Sequence, residues 1–222
     1  VHSGKVRSVY FLRPEDSRRL IQERGYPVAA HSDLAVMVIS DRLSAFDCLW
    51  HSDSFSGVQG KGAALNAIAA HWFESFGHAQ LAPHHLLEMP HPMVWIVRQA
   101  RPLMIEAIAR RYLTGSLWRA YEQGQRVIGG VELPDGLTQF QRFSELLFTP
   151  STKGIVRGLA DVSETDDAPL SPAALRRHYD AFGVQSEAQL DACVAALSSG
   201  FECIEQSLAQ QGDCRLYTSP TP

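Results

Sequence analysis

Arg110 and Arg111 stand just before a Thr114-Gly115-Ser116 break, and a helix-forming run, Leu117 to Tyr121, follows it. Planar guanidinium groups fork onto paired phosphate or carboxylate oxygens. A Gly-Ser turn entering a helix adds backbone N–H groups and the positive end of the helix dipole. Ser116 has the hydroxyl of an N-cap. This pattern suits an anionic ligand, and an ordinary strand, turn and helix with two solvated arginines fits the same residues.

Other stretches carry comparable chemistry. Gly4-Lys5 precedes an apolar run and can wrap phosphates, since glycine lets backbone approach and lysine supplies charge, although GxxxxGK[ST] is absent. Gly60-Lys61-Gly62 opens a helical stretch and forms a second anion site or a flexible loop with a solvated lysine. Thr149 to Gly154 offers hydroxyls and Lys153, or is a plain turn. Asp41-Arg42 follow a buried strand, as site residues or as a structural pair, and Asp47 between Phe46 and Cys48 needs a partner for its carboxylate. The acidic run Asp161 to Asp167 suits Mg2+ or a solvated loop. His84, His85 and His91 have no metal-ligand spacing and read as loop residues.

The elements that must position these groups follow from periodicity. Val6–Leu12, Leu34–Ser40 and Met93–Arg98 read as strands. Pro14–Arg24 reads as a helix with Pro at its start and Gly25 as its stop. Ala63–Phe76 reads as a helix whose Leu65, Ile68, Ala69, Trp72, Phe73 and Phe76 face the core. Met104 to Arg110 alternates as one strand, Gly124 to Gly136 as a meander, and Leu146–Phe148 as a strand. A helix begins at Ser171-Pro172 and stops near Gly183. A long one follows the capping box Ser186-x-x-Gln189 as far as about Gln210, with a core stripe from Leu190 to Leu208. Cys214 to Pro222 reads as the start of a strand.

At 222 residues, 45% hydrophobic and 20% charged, the chain is globular rather than disordered. A net charge of −4 argues against a general nucleic-acid or membrane surface. Cys48, Cys193, Cys203 and Cys214 lack CxxC spacing and read as reduced thiols of a cytoplasmic protein. There is no signal-peptide pattern at Val1 and no apolar run that would span a bilayer.

Four motifs occur in order: Gly4-Lys5-Val6-Arg7-Ser8-Val9-Tyr10; Ser40-Asp41-Arg42-Leu43-Ser44-Ala45-Phe46-Asp47; Arg110-Arg111-Tyr112-Leu113-Thr114-Gly115-Ser116; and Phe148-Thr149-Pro150-Ser151-Thr152-Lys153-Gly154. The ordered set resembles the SAICAR synthetase family of purine biosynthesis. The resemblance implies an α+β fold of two lobes, with a small antiparallel N-terminal sheet lobe over residues 1–102, a larger α/β lobe over residues 103–222, and ATP in the cleft between them. It implies an ATP-dependent ligase that joins L-aspartate to the carboxylate of carboxyaminoimidazole ribonucleotide (CAIR), with Mg2+, in a cytoplasmic homodimer. A non-catalytic nucleotide-binding relative is the other reading.

By motif, the resemblance places Gly4, Lys5, Val6 and Arg7 over the ATP phosphates, and Val97 and Arg98 beside adenine. Arg110 and Ser116 would take the nucleotide phosphate, Asp47 the imidazole nucleotide, Ser44 and Lys61 the acceptor side, and Lys153 the transferring phosphoryl group. Gln59 and Ser144 replace family prolines, and Asp167 precedes Ala168-Pro169 where members often read Asp-x-Asn. The family continues with an Asp-x-Lys-x-Glu-Phe-Gly strand and a later arginine loop that bear the expected metal carboxylates. Nothing after Leu216 matches them, so the Mg2+ ligands are unassigned.

Overall fold

A computed structural model describes residues 1–45, 48–52 and 54–210. The chain divides into two compact units, Val1–Arg101 and Pro102–Pro222. Asp47 and the segment Cys214 to Pro222 lie outside the described residues.

In the first unit, β1 (His2–Ser3), β2 (Arg7–Phe11), β3 (Leu34–Ile39), β6 (Leu86–His91) and β7 (Val94–Arg98) form an antiparallel sheet in the order β1-β2-β3-β7-β6. Between them lie α1 (Pro14–Arg24), the short hairpin β4 (Leu43–Ala45) and β5 (Cys48–Trp50), and α2 (Lys61–His78). The central β3 is a continuous apolar run because it is paired on both edges and buried at Leu34, Ala35 and Ile39. Register sets Val9 opposite Met37 and Met37 opposite Trp95. These side chains form a row that packs with Ala69, Ala70 and Phe73 of α2. The end of α1 is as read from sequence: the N–H of Gly25 reaches the carbonyl of Ile21 at 2.9 Å.

Two expectations for this unit are corrected. α2 buries Gly62, Asn66 and Ala70, whereas Leu65 is 41% exposed and Ile68 56%. The apolar spacing was broad enough for either face, and the narrow side bearing small residues lets the helix approach the sheet. His91 belongs to β6 rather than a loop, while His84 stacks on Phe73 and His85 meets Phe73 and Trp95 edge-on.

In the second unit, β8 (Ile105–Glu106) pairs with β13 (Ser151–Thr152), and β9 (Ala109–Tyr112) pairs with β12 (Arg142–Phe148). The single strand expected from Met104 to Arg110 is thus two short strands with different partners. α3 (Gly115–Glu122) follows β9, and β10 (Val127–Ile128) with β11 (Val131–Glu132) makes the expected meander. Leu117 and Tyr121 of α3 pack with Leu113 and Leu133, and the Tyr121 hydroxyl donates to Pro134 O at 2.8 Å and accepts from Leu137 N at 3.0 Å. A second cluster joins Leu170, Phe182, Val184 and Leu190 to Ala174 and Leu175 of α4 (Pro172–Arg177). The helix expected to stop near Gly183 is α4 followed by a 3-10 turn, Tyr179–Phe182.

α5 (Glu187–Gln210) begins at the expected cap, where Ser186 Oγ accepts from Gln189 N at 3.2 Å. The reciprocal bond is shifted by one residue, since Gln189 Oε1 accepts from Gln185 N at 2.6 Å. Leu190 is buried, whereas Val194, Leu197, Phe201, Ile204 and Leu208 are half-buried.

Asp41 ties the first unit together at the start of α2. Its carboxylate accepts from Gly60 N at 3.0 Å and Gly62 N at 2.8 Å, and its carbonyl accepts from Val58 N at 2.8 Å. A side chain at Gly57 would meet the Asp41 carbonyl oxygen at 2.1 Å, so the loop needs glycine there. The two backbone N–H bonds hold the Asp41 carboxyl below its ordinary 3.8. The contribution of this cap is therefore complete above about pH 4 and fades as the pH falls and the carboxylate protonates. Asp41→Ala should lower the unfolding midpoint near neutral pH by a few degrees. The gap from the parent should close in acid, and a gap that persists there would mean Asp41 acts other than by its charge.

Candidate functional site

Adjacent residues of a strand point to opposite faces, and β9 sends its two arginines to different fates. Arg111 is 8% exposed and lies against α5, with Nη2 3.6 Å from Glu202 and Nε 3.5 Å from Glu205. It is an anchor of the strand, so of the two arginines expected at the turn only Arg110 lines a cavity. The half-buried Arg110 lines a cavity of about 280 Å³ with Ser116, Thr149, Ser151 and Asp167. Its floor is apolar, from Ile108, Leu117 and Ile128.

Arg110 is held by hydroxyls. Nε donates to Thr149 Oγ1 at 2.9 Å and Nη2 to Ser116 Oγ at 3.1 Å. Among the described residues no carboxylate pairs with it. Burial pushes its pKa below the ordinary guanidinium value. Ser116 is not the N-cap expected from sequence. Thr114 holds that position, no side chain caps the helix, and Gly115 enters it at φ +60°, a conformation that glycine adopts without a Cβ clash.

Lys153 follows β13, whose Thr152 is fully buried. Thr152 Oγ1 donates to Gly154 O at 2.8 Å and accepts from Ala168 N at 2.9 Å. Lys153 Nζ donates to Glu106 of β8, a partner that sequence spacing did not suggest because the two meet only through the β8–β13 ladder. The hydrogen bond and charge of Glu106, then the charges of Asp167 and Asp166, raise the Lys153 pKa. The acidic run is a solvated loop, as one of the two readings expected, with its carboxylates exposed and held by local bonds. Asp161 pairs with Arg177, Glu164 accepts from Gly158 N at 3.0 Å, and Asp167 accepts from Gly154 N at 3.2 Å. Among the described residues no group of three or more His, Cys, Asp or Glu is arranged to hold a metal ion.

In the first unit, Gly4 N closes a turn onto Arg7 O at 2.8 Å, enclosing Lys5 and Val6. The Val6 carbonyl accepts from Ser40 N at 2.9 Å and from Ser40 Oγ at 3.0 Å, which fastens that turn to the exit of β3. The Arg7 guanidinium lies over the Trp95 ring, 5.6 Å from its centroid. Burial, then the charge of Arg7, pushes the neighbouring His85 below the ordinary histidine value. Alternation along β7 buries Val97 under α2 and leaves Arg98 exposed. Ser44 sits in β4 opposite Leu49. Asp41 and Arg42 do not pair with each other, since Arg42 Nε donates to Ser40 Oγ at 2.8 Å. The anion at Gly60-Lys61-Gly62 is the chain's own Asp41, which corrects the reading of an open anion site, and Lys61 Nζ donates to Arg42 O at 3.2 Å.

The chain is an α+β protein with antiparallel ladders and a cavity that Arg110 lines beside the start of α3. The SAICAR synthetase family profile matches residues 1–212, and the chain belongs to the SAICAR synthetase family. It is 56% identical over 210 residues to a phosphoribosylaminoimidazole-succinocarboxamide synthase of Aeromonas salmonicida, covering 94% of this chain and 57% of that protein. It is 54% identical over 213 residues to one of Vibrio cholerae, covering 96% and 58%. The chain thus spans less than two thirds of the curated relatives' length. Its fold is that of the SAICAR-synthase from Saccharomyces cerevisiae complexed with SAICAR, with a TM-score of 0.63 at 23% identity over 91% of this chain and 60% of that one. A SAICAR synthetase in complex with ADP matches at a TM-score of 0.62 and 14% identity, covering 95% of this chain and 69% of that one. No helix among the described residues is long and apolar enough to cross a membrane.

Glu106→Gln removes the charge that raises the Lys153 pKa, so the Lys153 ammonium should then titrate at lower pH. Side-chain NMR of labelled lysine measures this, and an unchanged Lys153 titration would show that the pair does not persist in solution.

Proposed function

We propose that this chain carries the nucleotide-handling part of an ATP-dependent ligase that joins L-aspartate to the carboxylate of CAIR, giving SAICAR, ADP and phosphate. The observation that supports it best is Arg110. A half-buried guanidinium held by two hydroxyls, without a carboxylate partner among the described residues, favours an external anion over solvent. In this reading the nucleotide phosphate lies against Arg110 and Ser116, with the apolar floor of the cavity below it.

The chemistry follows from what a carboxylate lacks. Its oxygen leaves poorly until it carries a phosphoryl group. Transfer of the ATP γ-phosphoryl group makes an acyl phosphate, the aspartate amine attacks its carbon, and phosphate departs with the bonding electrons. Catalysis of phosphoryl transfer is mostly positioning and charge stabilisation. Lys153, hydrogen-bonded to Glu106, supplies a cation beside the transferring group. The Gly4–Arg7 turn covers the ATP phosphates, with Lys5 and Arg7 as its charges and Val6 as its fastening. Val97 and Arg98 border adenine. Ser44 and Lys61 serve the acceptor side, and Asp47, outside the described residues, meets the imidazole nucleotide. Mg2+ finds no ready ligand set among the described residues, so no residue is assigned to it. A cytoplasmic homodimer is part of the same proposal, on the family's expectation.

ADP release should require both the imidazole nucleotide and aspartate, and release indifferent to aspartate would refute the ligase reading. Arg110→Ala should raise KM for the nucleotide by roughly 10- to 100-fold and leave KM for ATP nearly unchanged. Equal effects on both would remove Arg110 from the phosphate site.

A further inference from the structure

We propose that Thr149 is a positioning residue for the anion site, fixing which edge of the Arg110 guanidinium faces the ligand; this rests on the reading of Arg110 as the phosphate contact. Thr149 stands one residue beyond β12 and is 8% exposed. Its N–H donates to Ile108 O at 2.9 Å, which continues the β9–β12 pairing by one more bond. Its hydroxyl is thereby held against the flank of Arg110 and accepts from Nε at 2.9 Å.

A guanidinium can present either its end, with both Nη atoms, or its side, with Nε and one Nη. Engagement of Nε by Thr149 closes the side edge. Nη2, which the two edges share, donates to Ser116 Oγ at 3.1 Å, and Nη1 of the end edge, without a partner among the described residues, is left for the ligand. The choice of a hydroxyl matters as much as its place. A carboxylate at this position would orient the arginine but also offset its charge and weaken its pull on an incoming anion. Threonine orients the cation without adding an opposing charge.

Thr149→Val removes the acceptor and preserves the shape, while Thr149→Ser keeps the acceptor. The test is calorimetric binding of 5-aminoimidazole-4-carboxamide ribonucleotide and of its unphosphorylated nucleoside to the parent chain, T149V, T149S and R110A. T149V should weaken nucleotide binding by roughly tenfold and leave nucleoside binding unchanged, and T149S should return to within about threefold of the parent. Nucleotide binding by T149V equal to the parent, while R110A loses it, overturns the positioning role and leaves the phosphate reading intact. Equal weakening of nucleotide and nucleoside by T149V also overturns it, as general damage to the cavity. Parent-like binding by R110A overturns the phosphate site itself and the role of Thr149 with it.

Discussion

Two neighbouring guanidinium groups on one short strand must be taken out of water, and most of the second unit is arranged around that constraint. Burying a cation without compensation is costly. Arg111 is compensated from within the chain, by Glu202 and Glu205 of the long helix. Among the described residues Arg110 receives only hydroxyl acceptors, from Thr149 and Ser116. The first arrangement gives a closed structural contact. The second leaves a guanidinium without a carboxylate partner at a cavity wall that Asp167 also lines. Strand alternation joins the two, because anchoring Arg111 on one face fixes Arg110 on the other.

The same contrast separates the two helix starts. At α2 the chain places the Asp41 carboxylate on the N–H groups of Gly60 and Gly62, so that end is satisfied internally. At α3 no side chain caps the helix, and Ser116 turns to Arg110. Two glycine-containing sequences that promise the same anion-binding geometry thus differ: one is closed by the chain's own carboxylate, and the other carries no carboxylate cap among the described residues. A carboxylate brought from the exit of β3 makes the difference.

Lys153 and Arg110 are placed by a related device. The ladders β8–β13 and β9–β12 are each two strands wide, and each sets one cation beside its partner. The buried Thr152, bonded to Ala168 through backbone and hydroxyl, holds the Lys153 loop in register with Glu106. In the proposed chemistry one cation binds substrate phosphate and the other stabilises charge in transfer. Mounting Arg110 on a strand and Lys153 directly after one limits how far either can drift.

Local features were legible in the residues alone. The helix from Pro14 to Gly25, the buried run of β3, the cap at Ser186 and the Thr-Gly-Ser turn all depend on short-range backbone preferences, and the ordered motifs carried the family. The buried face of α2 was legible in part: Ala69 and Phe73 do pack on the sheet, whereas Leu65 and Ile68, equally apolar, are exposed and the buried side carries Gly62 and Ala70. The division of labour between Arg110 and Arg111, which are identical in type and adjacent in sequence, was not legible. The pairing of Lys153 with Glu106, and of Asp41 with the start of α2, joins residues far apart in the chain. Sequence by itself determined which groups could carry charge and where the backbone would turn. Tertiary structure decided which charges were paired with carboxylates and which were not, because pairing depends on distances that only the folded chain sets.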